Sequence, residues 1–175
     1  MSDSFSRSIE PVDRRRNDGY KERVATQETN DSELFRQIVE EMPEAVIFAD
    51  REGVVRLWNR GAQAIFGYSA AEALGQSLDL IVPERFRARH WEGYRHVMAT
   101  GVTSYGQRLL AVPAMRKDGQ RISIEFSIAL LKDERGAVTG AAAVVRDVTA
   151  RWEAERELRR RLADLEKSGG RAATT

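Results

Sequence analysis

Residues 121–131 carry the pattern that most restricts the fold, because apolar and polar side chains alternate along them. Alternate side chains of a β-strand point to opposite faces of a sheet, so the pattern predicts a strand with one buried face. The sequences Asp118-Gly119 and Asp133-Glu134-Arg135-Gly136 flank this strand, and both are typical of hairpin turns. The chain is therefore expected to fold around an antiparallel sheet. We expect the apolar face of the strand to form the floor of a pocket, with the members Ile122, Ile124, Phe126, Ile128 and Leu130.

Helix caps and turn residues divide the rest of the chain into short elements. Asn30 with Glu33 and Ser69 with Glu72 are capping-box patterns, and Asn59 is a third N-cap. A short helix is expected after each cap, and a longer helix is predicted at 84–99. The predicted strands are 45–49, 54–58, 105–114, 121–131 and 137–145. This order predicts an α+β fold.

The ends of the chain differ in character from its middle. Residues 1–29 are polar and predict a flexible arm, residues 30–149 predict the folded domain, and residues 168–175 predict a flexible tail. Between them, residues 150–167 form an amphipathic helix with a coiled-coil spacing of Leu158, Leu162 and Leu165. A lone helix of this length is marginal in water. We therefore expect a second copy of the chain to cover the leucines, which gives a homodimer.

Composition and charge argue against several classes of function. The chain has 28 basic and 27 acidic residues, a net charge of +1, which argues against nucleic-acid binding. It has no cysteine, which excludes disulfides and thiolate metal sites. No apolar run approaches the roughly 20 residues that cross a bilayer, and the N-terminus lacks the apolar core of a secretion signal. We expect a cytoplasmic protein without membrane contact. The sequence also lacks a phosphate-binding glycine loop and an evident nucleophile–base pair, so we expect no enzymatic activity.

Four short motifs occur in an order that resembles PAS domains. The motifs are Trp58-Asn59, then Phe66-Gly67-Tyr68-Ser69 with Glu72-Ala73-Leu74-Gly75, then Arg116-Lys117-Asp118-Gly119, and finally Arg146-Asp147-Val148-Thr149. The resemblance implies a five-stranded antiparallel sheet with short helices that form a pocket. It also implies that the last strand leads into a C-terminal signalling helix. PAS domains serve ligand sensing, dimerisation and partner binding, so the fold alone leaves the function open.

The helix predicted at 84–99 places its two histidines on opposite faces. At about 100° per residue, one stripe of the helix is largely apolar and contains His90. The members of this stripe are Phe86, His90, Tyr94, Val97 and Met98. We therefore expect His90 to face the pocket and His96 to face solvent. A buried histidine is more often a hydrogen-bonded core residue than a ligand, and both interpretations are open at this point.

The sequence Arg87-Ala88-Arg89-His90, preceded by Val82-Pro83-Glu84, is similar to the haem-ligating stretch in PAS domains of FixL-type oxygen sensors. This resemblance implies that His90 is the axial ligand of a haem b iron. Arginines near His90 on the helix would pair with the haem propionates, and the candidates are Arg87, Arg89 and Arg95. The pocket residues that the resemblance implies are His90, Tyr94, Leu110, Phe126, Ile128 and Val144.

Two features of the sequence restrict which cofactor the pocket could hold. Leu110 stands where those oxygen sensors carry an arginine that holds bound oxygen, and Arg108 lies two residues earlier. An apolar residue at this position implies either a different gas preference or no haem at all. The lack of cysteine excludes the thiol-dependent flavin and coumaroyl chromophores of light-sensing PAS domains.

Two functions are consistent with these features. The first is a sensory module that binds a small ligand or a haem b and relays the signal through the C-terminal helix. The alternative is a ligand-free PAS module for dimerisation and protein interaction. In either case, the partner would be a kinase or a transcription regulator that the module controls.

Overall fold

A computed structural model describes residues 30–103 and 109–172, and side-chain surroundings as far as residue 164. The predicted arm at 1–29 and the first part of the strand predicted at 105–114 lie outside the described residues. By its contacts the chain divides between Ile38 and Val39. Apart from the part of the first helix that precedes Val39, the features below belong to the unit that begins at Val39, and the predicted domain boundaries stay a prediction.

Within the described residues, five antiparallel strands form one sheet, as the sequence predicts. Their spatial order is β2-β1-β5-β4-β3, so the first and last strands of the domain are neighbours near the middle of the sheet. The strands are β1 (Ala45–Asp50), β2 (Val55–Trp58), β3 (Leu110–Met115), β4 (Arg121–Lys132) and β5 (Val138–Asp147).

The helices lie between β2 and β3 and at the two ends of the described chain. They are α1 (residues 30–41), α2 (Arg60–Phe66), α3 (Ala70–Ala73), α4 (Glu84–Thr100) and α5 (Thr149–Ala172), with a 3₁₀ turn at Leu78–Leu80. The α+β class, the antiparallel sheet and the C-terminal helix are therefore confirmed. The helix end predicted near residue 168 differs, because α5 continues through Gly169 and Gly170. Each glycine costs a helix only about 1 kcal/mol relative to alanine, and no proline follows to stop it.

One face of the sheet, called the inner face here, carries the core. Ile122 and Ile124 of β4 are buried there with Ile47 and Val145, and Phe66 of α2 is fully buried in the same cluster. Phe126 packs against this cluster while it stays partly exposed. The alternation at 121–131 therefore gave the correct buried face.

Asn59 joins three elements through its side chain, which is completely buried. Its Oδ1 accepts hydrogen bonds from the backbone N–H of Val46 at 2.8 Å and of Ala62 at 2.9 Å. The two hydrogens of its Nδ2 are shared among three carbonyl oxygens, those of Val39, Met42 and Glu44, at 2.9, 3.2 and 3.0 Å. The predicted N-cap is thus also the link between α2, β1 and the end of α1.

Candidate functional site

Helix α4 presents His90 to the interior and His96 to solvent. His90 is half-buried, whereas His96 is exposed. The helix begins after Pro83 and ends at Gly101, whose φ of 68° is left-handed. The phase predicted for the two histidines is therefore correct.

The rest of the predicted stripe needs a correction at Phe86. The Phe86 side chain is 36% exposed, and the Arg85 guanidinium carbon lies 4.6 Å from its ring centroid. Arg87 and Trp91 are half-buried on α4 instead. Periodicity alone could not reveal this shift, because the partners of both side chains lie in a different segment.

That segment is the 3₁₀ turn, and Asp79 is its main contact with α4. Trp91 Nε1 donates to Asp79 Oδ1 at 2.8 Å. Arg87 donates to the backbone carbonyl of Asp79 at 3.0 Å and to that of Val82 at 3.2 Å. Arg87 Nε also lies 3.6 Å from Asp79 Oδ1. Arg87 is therefore already engaged, which weakens its candidacy as a propionate partner.

The imidazole of His90 has no hydrogen bond to any residue that the structure describes. Its Nδ1 is buried, and no acceptor or donor among those residues reaches it. Its ring centroid lies 4.9 Å from that of Trp91 and 5.8 Å from that of Tyr94. Burial lowers the pKa of His90 below its ordinary value, and the Asp79 carboxylate opposes this only in part. The ring is therefore neutral at pH 7 and retains a nitrogen lone pair that can bind a ligand.

Tyr94 is a structural anchor in this arrangement. Its hydroxyl lies 2.5 Å from the carbonyl oxygen of Asp50 and 3.1 Å from that of Ala49, and it donates to them. Burial raises the pKa of Tyr94 to about 12, and the carboxylates of Asp50 and Glu52 add to the effect. The phenol therefore stays protonated and keeps α4 attached to the end of β1.

Trp91 rests on the turn between β1 and β2. A Cβ built on Gly53 would lie 2.3 Å from the Trp91 ring, so only a glycine fits beneath the indole. Gly53 also has a φ of 78°, which glycine adopts at no steric cost. Sequence reasoning missed Trp91, Gly53 and Asp79, and only the glycine in the turn could have hinted at a close approach.

Three of the predicted wall residues share the inner face of the sheet. Leu110 of β3 is the direct cross-strand partner of Phe126 on β4, and both are half-buried. Ile128 is half-buried opposite Ala143 of β5. Since directly paired residues lie on the same face, these side chains form one apolar surface that is not completely covered.

Val144 does not belong to that surface, and its assignment to the pocket is wrong. It is paired with Val46 and Ser127 and is 38% exposed, whereas its neighbour Val145 is buried in the core. Successive residues of a strand point to opposite faces, so Val144 lies on the outer face of the sheet. The resemblance had implied this assignment, and the run of small residues before Val144 carries no alternation that could have opposed it.

The sequence profile of the family described as PAS fold matches residues 39–153. This range includes every strand, α4 and the first turn of α5. The chain belongs to the PAS family.

Two sensor proteins and one solved PAS domain are similar to this chain. The sensor protein FixL of Bradyrhizobium diazoefficiens is 28% identical over 145 residues, which are 81% of this chain and 27% of FixL. The oxygen sensor protein DosP of Escherichia coli is 27% identical over 132 residues, which are 75% of this chain and 16% of DosP. The PAS domain of a protein from Colwellia psychrerythraea has a TM-score of 0.59 at 20% identity, over 67% of this chain and 97% of that one.

These comparisons identify a PAS sensory module homologous to FixL and DosP. The chain spans about a quarter or less of the length of these two relatives. Within the described ranges, no helix of this PAS domain is long and apolar enough to cross a membrane. The same residues contain no cluster of three or more histidine or carboxylate side chains that could hold a metal ion.

Proposed function

We propose that this PAS domain senses a small ligand that contacts His90, and that it passes the signal to α5. The buried His90 Nδ1 without a partner among the described residues supports this proposal most directly. A histidine that served only the core would be expected to have a hydrogen bond, since buried polar atoms seldom lack one.

Haem b is the ligand whose chemistry fits these residues best. His90 offers a neutral imidazole, and Leu110, Phe126 and Ile128 offer an apolar wall of the kind that a porphyrin packs against. Arg89 and Arg95 are exposed and have no ion pair within the described residues, so they are better candidates for pairing with propionates than Arg87, which already bonds Asp79 and Val82. A haem held by His90 would supply an iron that can bind a diatomic gas. With Leu110 in place of a distal arginine, we propose a gas preference different from that of oxygen sensors.

The two histidines of α4 provide a matched test of this assignment. We expect the purified chain to take up added haemin with a Soret band, and H96A to do the same. H90A should lose the band or shift it, because it removes the half-buried imidazole and leaves the exposed one in place. Equal behaviour of H90A and H96A would exclude His90 as the ligand. A wild-type chain that rejects haemin would exclude haem and favour the ligand-free interaction module.

The output of the module is proposed to be a change in a homodimer formed through α5. Leu158 and Leu162 are 59% and 52% exposed, one helical turn apart, and such a pair needs a partner surface. A second α5 supplies that surface in a parallel coiled coil. We propose that the chain itself is not an enzyme, and that it regulates a kinase or a transcription regulator.

A further inference from the structure

Two consecutive anchors attach α4 to one corner of the sheet, directly beside His90. Trp91 rests on Gly53, and the Tyr94 hydroxyl donates to the carbonyl oxygens of Ala49 and Asp50. His90 and Tyr94 are four residues apart, which places their rings on the same side of the helix, 5.8 Å apart. The Trp91 ring lies 4.9 Å from that of His90, so a ligand that moves the His90 ring acts on both anchors, Trp91 and Tyr94.

The carbonyls that Tyr94 holds are in close contact with β5. Ala49 and Asp50 are the cross-strand partners of Ala141 and Gly140. A Cβ built on Gly140 would lie only 2.3 Å from the carbonyl oxygen of Ala49. The absence of a side chain at Gly140 thus lets β5 lie against the same carbonyl that accepts from Tyr94.

A second bond joins the same corner to β5. Arg51, in the turn after β1, donates from its guanidinium to the carbonyl of Val138 at 3.0 Å. From there β5 runs to Asp147, and α5 begins at Thr149, whose hydroxyl accepts from the backbone N–H of Ser123 at 2.9 Å. The Ala49 carbonyl is therefore connected to the first turn of α5 through β5, and a displacement of this carbonyl can be transmitted to α5.

We infer that Tyr94 is a positioning residue through which a ligand at His90 alters β5, because its hydroxyl bonds the carbonyl against which Gly140 packs. The inference rests on the proposed function for the identity of the ligand only. The contacts that connect Tyr94 to β5 are present in the protein without a ligand. It predicts that the hydroxyl of Tyr94, and not its ring alone, controls the local stability of β5.

The test is hydrogen–deuterium exchange of the full chain, with wild type, Y94F and Y68F compared first without ligand. Loss of one hydrogen bond corresponds to about a fivefold change in a local opening constant. We expect Y94F to raise exchange about fivefold in the first half of β5 and in the Ala49–Asp50 segment, while β4 keeps its wild-type exchange. Y68F is the matched control, because the Tyr68 hydroxyl has no hydrogen bond within the described residues, and it should leave the pattern unchanged.

The second part of the experiment repeats the exchange measurement on wild type and Y94F after haemin has been added. We expect both proteins to keep the Soret band, while haemin changes the exchange of β5 in wild type only. Unchanged exchange of β5 in ligand-free Y94F overturns the inference, as does a uniform rise across the whole sheet, which would mean a general loss of stability. An equal haemin effect on β5 in both proteins also overturns it. If neither protein binds haemin, the haem assignment fails, and the ligand-free comparison alone decides the role of Tyr94.

Discussion

Replacement of Asn59 should cost this domain a large share of its stability. The side chain is fully buried and takes part in five hydrogen bonds that join α1, β1 and α2. At a net contribution of about 1 kcal/mol for each buried bond, Asn59→Ala should lower the free energy of unfolding by about 3–5 kcal/mol. Domains of this size are stable by about 5–15 kcal/mol, so the variant should still fold while it melts at clearly lower urea concentration.

Asn59→Asp distinguishes the two halves of this network. The carboxylate retains the acceptor for the N–H groups of Val46 and Ala62, yet it places an oxygen where Nδ2 now meets three carbonyl oxygens. The variant has the same shape as asparagine, but it buries a charge and replaces attraction with repulsion. At pH 7 we expect it to be destabilised at least as strongly as Asn59→Ala.

Urea denaturation followed by circular dichroism measures both variants against wild type. Ser69→Ala serves as the control, because it removes a helix cap at the surface, where Ser69 Oγ hydrogen-bonds to the Glu72 carboxylate. A surface cap of this kind should cost about 1 kcal/mol or less. If Asn59→Asp unfolds at the wild-type urea midpoint, the hydrogen bonds donated by Nδ2 do not contribute to the free energy of unfolding, and the reasoning fails.

Two further predictions concern the sheet and the C-terminal helix. Ile124→Ala removes a buried side chain from the inner face and should cost about 2–5 kcal/mol, whereas Ser127→Ala on the outer face should change stability by less than about 0.5 kcal/mol. Similar costs for both variants in urea melts would contradict the register of β4. We expect the full chain to run as a dimer in light scattering at tens of micromolar, and a chain truncated after Thr149 to run as a monomer. If the full chain is also a monomer, α5 does not drive association.

Local chemistry made much of this fold predictable. Asn59 caps α2 and Gly67 ends it, because a cap residue and a left-handed glycine act on the nearest backbone whatever the rest of the chain does. The inner face of β4 was predictable for a similar reason, since its large apolar residues alternate with polar ones. The PAS family followed from motifs of this local kind.

The errors arose where a side chain finds its partner in a distant segment. Phe86 and Arg87 differ by one helical position, and the choice between them depends on carbonyl oxygens at Asp79 and Val82 that no periodicity reveals. The resemblance implied a pocket position for Val144, and Ala141, Ala142 and Ala143 before it carry no alternation that could have placed it on the outer face. The lack of a partner for His90 Nδ1 among the described residues likewise depends on the tertiary structure and could not be inferred from the spacing of His90.

The contact between Gly53 and Trp91 has a consequence for how the two positions can vary among related PAS domains. Any side chain at 53 would occupy the space of the indole ring, and the left-handed backbone there adds a second penalty. A homologue that carries a larger residue at the position of Gly53 can therefore keep α4 in place only with a smaller residue at that of Trp91. The residues at these two positions should covary in an alignment of related PAS domains. Such covariation would indicate which homologues pack α4 against the β1–β2 turn in the same way.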